Sequence, residues 1–344
     1  MKLGQEAEDI VSVPEIPDSN NESVRLSFYS FAPYRGPEAL EDEIVFAGTD
    51  TAVVAVYLDR GRFIGSETFI GKFNNFGLTF GNPKTDKMGR VTGICQVPSD
   101  DVTLFYISDA DHHITRLVDM ENLTSSLVMG VANQPGPISE GKIDTPGAIF
   151  CDVDRVAVVC KNGVFYHMLG ETELRELYSL EFVASHPLVT GLRNFAYTSG
   201  VMQYPARFVF TVSAEDEDGR RRDFIMDIND TTRKYVKADN LQTRSVAVAI
   251  VDETVVVVDA RGKDQSVIIG CGNDDGGQYT DVVLAKLPKT ALAMITAGHY
   301  LYIGLEKGIV RYPYGELTPT SSRHDDHTGV YLLSISKIHV GAIC

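Results

Sequence analysis

The chain has 344 residues, of which 44% are hydrophobic and 23% charged, proportions that fit a packed globular protein and exclude a disordered one. Its formal net charge of −16 repels phosphate backbones and excludes general nucleic-acid binding. No apolar run approaches the roughly 20 residues that a membrane helix requires, so no membrane partner is expected.

The first residues, Met1-Lys2-Leu3-Gly4-Gln5-Glu6, turn acidic after one lysine and lack the apolar centre of a secretory signal. The expected location is therefore the cytoplasm, or a virus particle assembled there. Residues 1–23 are polar and acidic, with Pro14 and Pro17 breaking any regular element. Such a segment buries too little area to offset an ordering cost of roughly 1–2 kcal/mol per residue. It reads as a tail that orders against a protein partner, with Ile10, Val11, Val13 and Ile16 as the anchor and strand addition as the simplest docking mode.

From residue 24 to residue 344 the pattern is β almost throughout. Runs such as Thr51–Tyr57, Val102–Ile107 and Val255–Val258 are apolar, rich in β-branched residues and bounded by Gly, Asp or Asn. Only Glu171 to Leu180 has helical spacing, with Leu174, Leu177 and Leu180 three apart, and it also reads as a strand with a loop. A module of apolar strand, polar turn, second strand, tight turn and third strand recurs six times. Its tight turns fall at Gly61, Ala110, Gly163, Gly219, Gly262 and Gly308, a period near ~50 residues. Glycine suits these positions because tight hairpins need positive φ.

A period of this length with three or four strands per unit resembles a β-propeller, in which each small sheet stays apolar on both faces until its neighbours cover it. The expected fold class is all-β, one propeller of six blades with the first strand of each repeat innermost. A seventh blade, closed by strands from both termini, stays open: Ser23–Phe31 alternates before the first repeat, and Tyr331–Ile335 and Ile338–Ile343 follow the last. The Trp-Asp dipeptide of WD repeats is absent, since the chain has no tryptophan, and the paired glycines of kelch repeats are absent too. The resemblance therefore carries no family function.

Five cysteines, at 95, 151, 160, 271 and 344, show no Cys-x-x-Cys spacing. They read as small buried hydrophobes in a reducing compartment, without a zinc site. His324-Asp325-Asp326-His327 is the candidate divalent-metal cluster, although adjacent residues rarely all point at one ion and an exposed polar loop is the simpler reading. Asp109-Ala110-Asp111-His112-His113 and Asn273-Asp274-Asp275-Gly276-Gly277 read as turn formers. Arg220-Arg221-Arg222 lies beside Glu215-Asp216-Glu217-Asp218 and reads as a self-compensating hairpin tip. No Gly-x-Ser-x-Gly elbow or phosphate-binding loop is present, and no cofactor is expected.

Three functional expectations follow. The first is a non-catalytic structural or binding subunit of a larger protein assembly, by analogy a bacteriophage tail or neck component, with protein partners that include other copies of the chain. The second is a propeller enzyme, a lactonase-like hydrolase or a lyase, which needs His, Asp, Glu or Asn side chains from several repeats at the channel mouth. The third is a carbohydrate- or ligand-binding propeller using Tyr204, Tyr279, Tyr312 and Tyr314.

Overall fold

Runs that are apolar at successive positions, such as Val53–Val56 and Val255–Val258, form strands with both faces buried; four strands make each sheet, and outer strands such as Thr124–Met129 and Leu174–Ser179 are more polar and partly exposed. The computed structural model describes residues 8–11, 16–17, 23–24, 27–33, 44–59, 62–98, 104–168, 171, 173–203, 207–228, 233–236, 245–251, 254–261, 265–273, 279–287, 289–297, 300–306 and 308–313. Blade one is Ser30–Pro33, Ile44–Gly48, Ala52–Asp59 and Arg62–Gly71, from the axis outward. Blade two is Val91–Gln96, Leu104–Asp109, Ile114–Asp119 and Thr124–Met129. Blade three is Pro146–Cys151, Arg155–Cys160, Gly163–Met168 and Leu174–Ser179. Blade four is Arg193–Gln203, Arg207–Glu215, Arg221–Ile228 and Arg233–Val236. Blade five is Ser245–Val251, Thr254–Ala260, Ser266–Asn273 and Tyr279–Leu287. Blade six takes Ala291–Ala297, Tyr300–Leu305 and Gly308–Pro313 from the end of the described chain, and its outer strand is Glu8–Val11, antiparallel to Gly308–Pro313.

The six-bladed expectation holds, with three adjustments. The composite blade is the sixth rather than a seventh, and its N-terminal strand is Glu8–Val11 rather than Ser23–Phe31. Ser30–Pro33 is instead the innermost strand of blade one, so Ala52–Asp59 and Arg62–Gly71 are that blade's third and fourth strands, and Gly61 itself lies outside the described residues. Thr49–Thr51 fills the turn position equivalent to that of the other repeats. The boundary drawn at residue 24 is crossed, because the acidic segment adds a strand to the chain's own sheet edge; Ile10 and Val11 lie in that strand, Ile16 pairs with Val24 in a short ribbon, and Val13 lies outside the described residues. The proposed closing strands at 331–343 lie outside them too. Leu174–Ser179 is a strand, and the helix begins only at Leu180, where the Ser179 hydroxyl accepts from the Phe182 N–H at 3.0 Å as an N-cap.

Six hydrophobic clusters fill the six spaces between neighbouring blades. The strand Thr254–Ala260 shows why its core reads Val-Val-Val-Val. Val255 and Val257 pack towards blade four, Val256 and Val258 towards blade six, and no position is left for water.

At each junction a backbone N–H at or near the start of an innermost strand reaches back to the region between the second and third strands of the preceding blade. The Phe28 N–H donates to the Leu305 carbonyl at 3.2 Å, Val91 to the Thr49 carbonyl at 2.9 Å, and Tyr197 to the Lys161 carbonyl at 3.2 Å. Thr145 donates to His113 Nδ1 at 3.1 Å, Ser245 to Asp223 Oδ2 at 2.7 Å, and Ala291 to Ser266 Oγ at 2.9 Å. Five of the innermost strands also shift register against the second strand close to these points, as at Val91/Gly93 and Ser245/Ala247. Such bulges turn the chain onto its neighbour.

The cysteines need a correction. Cys95 and Cys151, on the innermost strands of blades two and three, form a disulfide, whereas Cys160 and Cys271 are buried as expected. Burial pushes the Cys160 thiol well up, so it stays protonated. The bridge closes a loop across 56 residues, so replacing both cysteines with serine should cost about 4 kcal/mol by the chain-entropy relation, read as a lower unfolding midpoint in urea. A second expectation concerns Gly93, where a Cβ would lie 2.2 Å from the Gly147 carbonyl oxygen of the next blade. Gly93→Ala should lose about 1–3 kcal/mol by forcing two innermost strands apart. Gly65→Ala, with open space around the added carbon, should stay within about 0.5 kcal/mol. Equal melting points for the two variants would refute the close-approach argument.

Candidate functional site

Six innermost strands converge on the axis, and small side chains recur among the larger ones where they come together. Gly93, Gly147, Ala196, Gly200, Ala247 and Ala293 face the resulting cavity, whose volume is about 530 Å³, within the usual range for small-ligand sites. Hydroxyls are interleaved with them, among them Thr92, Thr198, Ser199 and Ser245. Thr198 Oγ1 lies 2.8 Å from Thr211 Oγ1 and 3.2 Å from Ser245 Oγ, linking blades four and five.

Among the described residues, the charged side chains lining the cavity are Arg90, Lys161 and Arg221. All three sit at the rim where the innermost strands begin, on consecutive blades. Arg90 immediately precedes the innermost strand of blade two. Lys161 occupies the turn between the second and third strands of blade three, and Arg221 opens the third strand of blade four. Arg90 Nη2 donates to Asp111 Oδ1 at 2.8 Å, and its backbone N–H donates to Asp111 Oδ2 at 2.9 Å. Burial raises the Asp111 pKa, but these two bonds and the guanidinium charge outweigh it and hold the carboxyl below its usual range. Arg221 Nε donates to Asp223 Oδ1 at 2.6 Å, and the buried Asp223 also accepts from Ser245. Lys161 is exposed and has no ion pair among the described residues. Beside Arg90, whose guanidinium lies 5.5 Å from its ring centroid, Tyr29 titrates above the usual tyrosine range, raised first by burial and then by Asp50, so it stays a neutral phenol at ordinary pH.

Beside the mouth lies a buried polar knot. Asp109 and Arg116 are fully buried, 2.8 Å apart through Oδ2 and Nη2, and His112 Nδ1 lies 2.8 Å from Asp109 Oδ1. The Gly89 N–H adds two contacts to the same carboxylate at 3.2 Å. Arg116 also donates to the carbonyls of Thr79 and Lys87, and its guanidinium lies 4.8 Å from the Phe80 ring centroid. The knot pins the segment that joins blade one to blade two and thereby sets the position of Arg90.

The turn Asp109–His113 is thus a structural turn, as its composition indicates, with the addition that His113 accepts a junction hydrogen bond. The arginine triplet compensates itself as expected: Arg222 pairs with Asp216 at 3.0 Å, and Arg221 pairs with Asp223. Of the tyrosines, Tyr312 is buried between blades five and six, Tyr279 is described only as part of a strand, and Tyr204 and Tyr314 lie outside the described residues. The His324–His327 cluster and Asp274–Gly277 lie outside them as well. No group of three candidate metal ligands occurs among the described residues. Arg90 and Lys161 carry no motif of their own. Their signal is positional, since they fall at the start of an innermost strand and in a second-to-third-strand turn, and both places become visible once the repeats are superposed.

No protein-family model matches the chain, and no curated protein matches it either. The fold resembles solved propellers. The crystal structure of RRP9 WD40 repeats superposes with a TM-score of 0.51 at 11% identity, covering 90% of this chain and 99% of that one. The extracellular domain of the putative hybrid two component system BT4673 from B. thetaiotaomicron superposes with a TM-score of 0.50 at 10% identity, covering 88% of this chain. The match takes in 34% of that domain. At such identities the likeness is one of fold alone.

The buried knot generates a stability test. Asp109→Asn leaves the Arg116 charge buried without its carboxylate and should cost about 3–5 kcal/mol in urea unfolding. Asp152→Asn, which removes an exposed partner of Arg155, should cost at most about 1 kcal/mol.

Proposed function

We propose that this chain is a non-catalytic propeller that serves as a binding subunit of a protein assembly. The observation that carries this reading is the uneven distribution of exposed large apolar side chains. Phe63 and Ile64 lie on the outer strand of blade one, Phe76 and Phe80 in the segment leading to blade two, and Leu123 and Leu127 at the outer strand of blade two. Val153 and Leu177 extend the set into blade three, and Ile64, Phe76 and Val153 are each more than 60% exposed. Among the described residues, blades four to six contribute none. Single exposed apolar residues are ordinary, but a set confined to one side of a ring suits a protein contact.

The narrower form of the proposal is a virion component, a tail or neck subunit of a bacteriophage. The Cys95–Cys151 bridge suits a protein that functions outside the reducing cytosol, as a released particle does.

Sedimentation of the purified chain tests the reading. It should run as an assembly of copies, or bind a larger particle isolated from its source. Ile64→Asp combined with Leu127→Asp should abolish that association while leaving the melting temperature unchanged. A chain that is monomeric at every concentration and binds no particle, or an assembly indifferent to both substitutions, would overturn it.

A further inference from the structure

We propose that the mouth of the axial cavity is a binding site for small molecules that carry a phosphate or carboxylate group. The site is separate from the outer apolar surface of blades one to three and does not depend on the assembly reading. The chain as a whole is strongly acidic, with a formal charge of −16, yet among the described residues each charged side chain lining the cavity is a cation. Arg90, Lys161 and Arg221 come from three consecutive blades at one rim, so they share one arc of the mouth. A concave site with protein walls concentrates the field of such groups.

The two arginines are not consumed by their partners. Arg90 gives Asp111 one guanidinium nitrogen, Nη2, and Arg221 gives Asp223 Nε and Nη2. A guanidinium carries five N–H donors, so each arginine keeps donors for a ligand. Both aspartates are also served by backbone groups, Asp111 by the Arg90 N–H and Asp223 by the Ser245 N–H. The carboxylates therefore hold the arginines in place at the rim, and Lys161 supplies a charge with no ion pair among the described residues. Tyr29 of blade one borders this arc, with the Arg90 guanidinium 5.5 Å from its ring centroid, and its neutral phenol adds a hydroxyl beside the cations. Below the mouth, the small and hydroxylated walls suit an uncharged, hydroxyl-bearing body attached to the anionic group.

Isothermal titration calorimetry with inorganic phosphate, and separately with citrate, tests this on the full chain. Millimolar or tighter binding is expected for at least one of the two, weakening as salt is added. Lys161→Glu should weaken it roughly tenfold or more, because a charged partner of the anion is lost and replaced by repulsion. Lys161 is exposed, so the variant should melt with the wild type. Arg155→Ala removes an exposed cation at the opposite rim and should leave the affinity unchanged. Absence of binding for both anions would overturn the proposal. So would binding that survives Lys161→Glu, or that Arg155→Ala weakens equally, since either would mark a general surface effect.

Discussion

Each blade has two apolar faces and cannot stay in water alone, but apolar burial is non-directional and does not by itself set how one sheet seats on the next. The six junction hydrogen bonds supply that direction. Each joins the start of an innermost strand to the preceding blade close to the turn between its second and third strands. The donor is in every case a backbone N–H, and where the junction is buried a packed interior would otherwise leave it without a partner. The acceptors differ: three carbonyls, a carboxylate, a hydroxyl and an imidazole nitrogen. Geometry is conserved around the ring while the chemistry of the acceptor changes. A net contribution of about 0.5–1.5 kcal/mol per bond is modest, but it falls at the positions that determine whether the ring closes.

The same places explain why the site forms where it does. A turn that must reach the next blade cannot also bury its side chain at the axis, so residues there project at the rim. Lys161 shows this directly: its carbonyl accepts the Tyr197 N–H of blade four, while its side chain stands in solvent at the cavity mouth. Asp223 shows the reverse arrangement. Its carboxylate takes the junction hydrogen bond, and in doing so fixes Arg221. Structural and electrostatic duties are thus shared by the same few residues.

Much of the architecture was legible in the sequence because periodic turns and doubly apolar strands are local features. The Val255–Val258 run and the glycines at 163, 219 and 308 suffice to phase the later repeats. The first repeat was misphased by one strand because Ser30–Pro33 contains a proline and little β-branched character, whereas Ile44–Gly48 and Ala52–Asp59 give the stronger apolar signal. The strand Glu8–Val11 was expected to add to a partner's sheet, and its pairing with the chain's own edge was missed for a different reason. Its pattern is acidic and short, and its pairing partner lies at the far end of the chain. The Cys95–Cys151 bridge was equally invisible, since two cysteines one repeat apart become neighbours only when blades two and three stand side by side. The cationic rim belongs to the same class, being assembled from single residues of three blades, none with a motif.

The pairing of Glu8–Val11 with Gly308–Pro313 also has a consequence for how the protein is made. A ribosome releases the N-terminal strand first and its partner strand among the last of the ring, so blade six cannot be completed during most of synthesis. Blades one to five can form in sequence as they emerge, as domains built from consecutive elements do. Throughout that interval the interior faces of the first and last blades remain uncovered. The final step is the joining of two segments separated by nearly the whole chain, which carries a high loop-closure cost. Unfinished chains should therefore be the form most in need of chaperone protection, and a nascent chain stalled before residue 308 would carry five sheets and no closed circle.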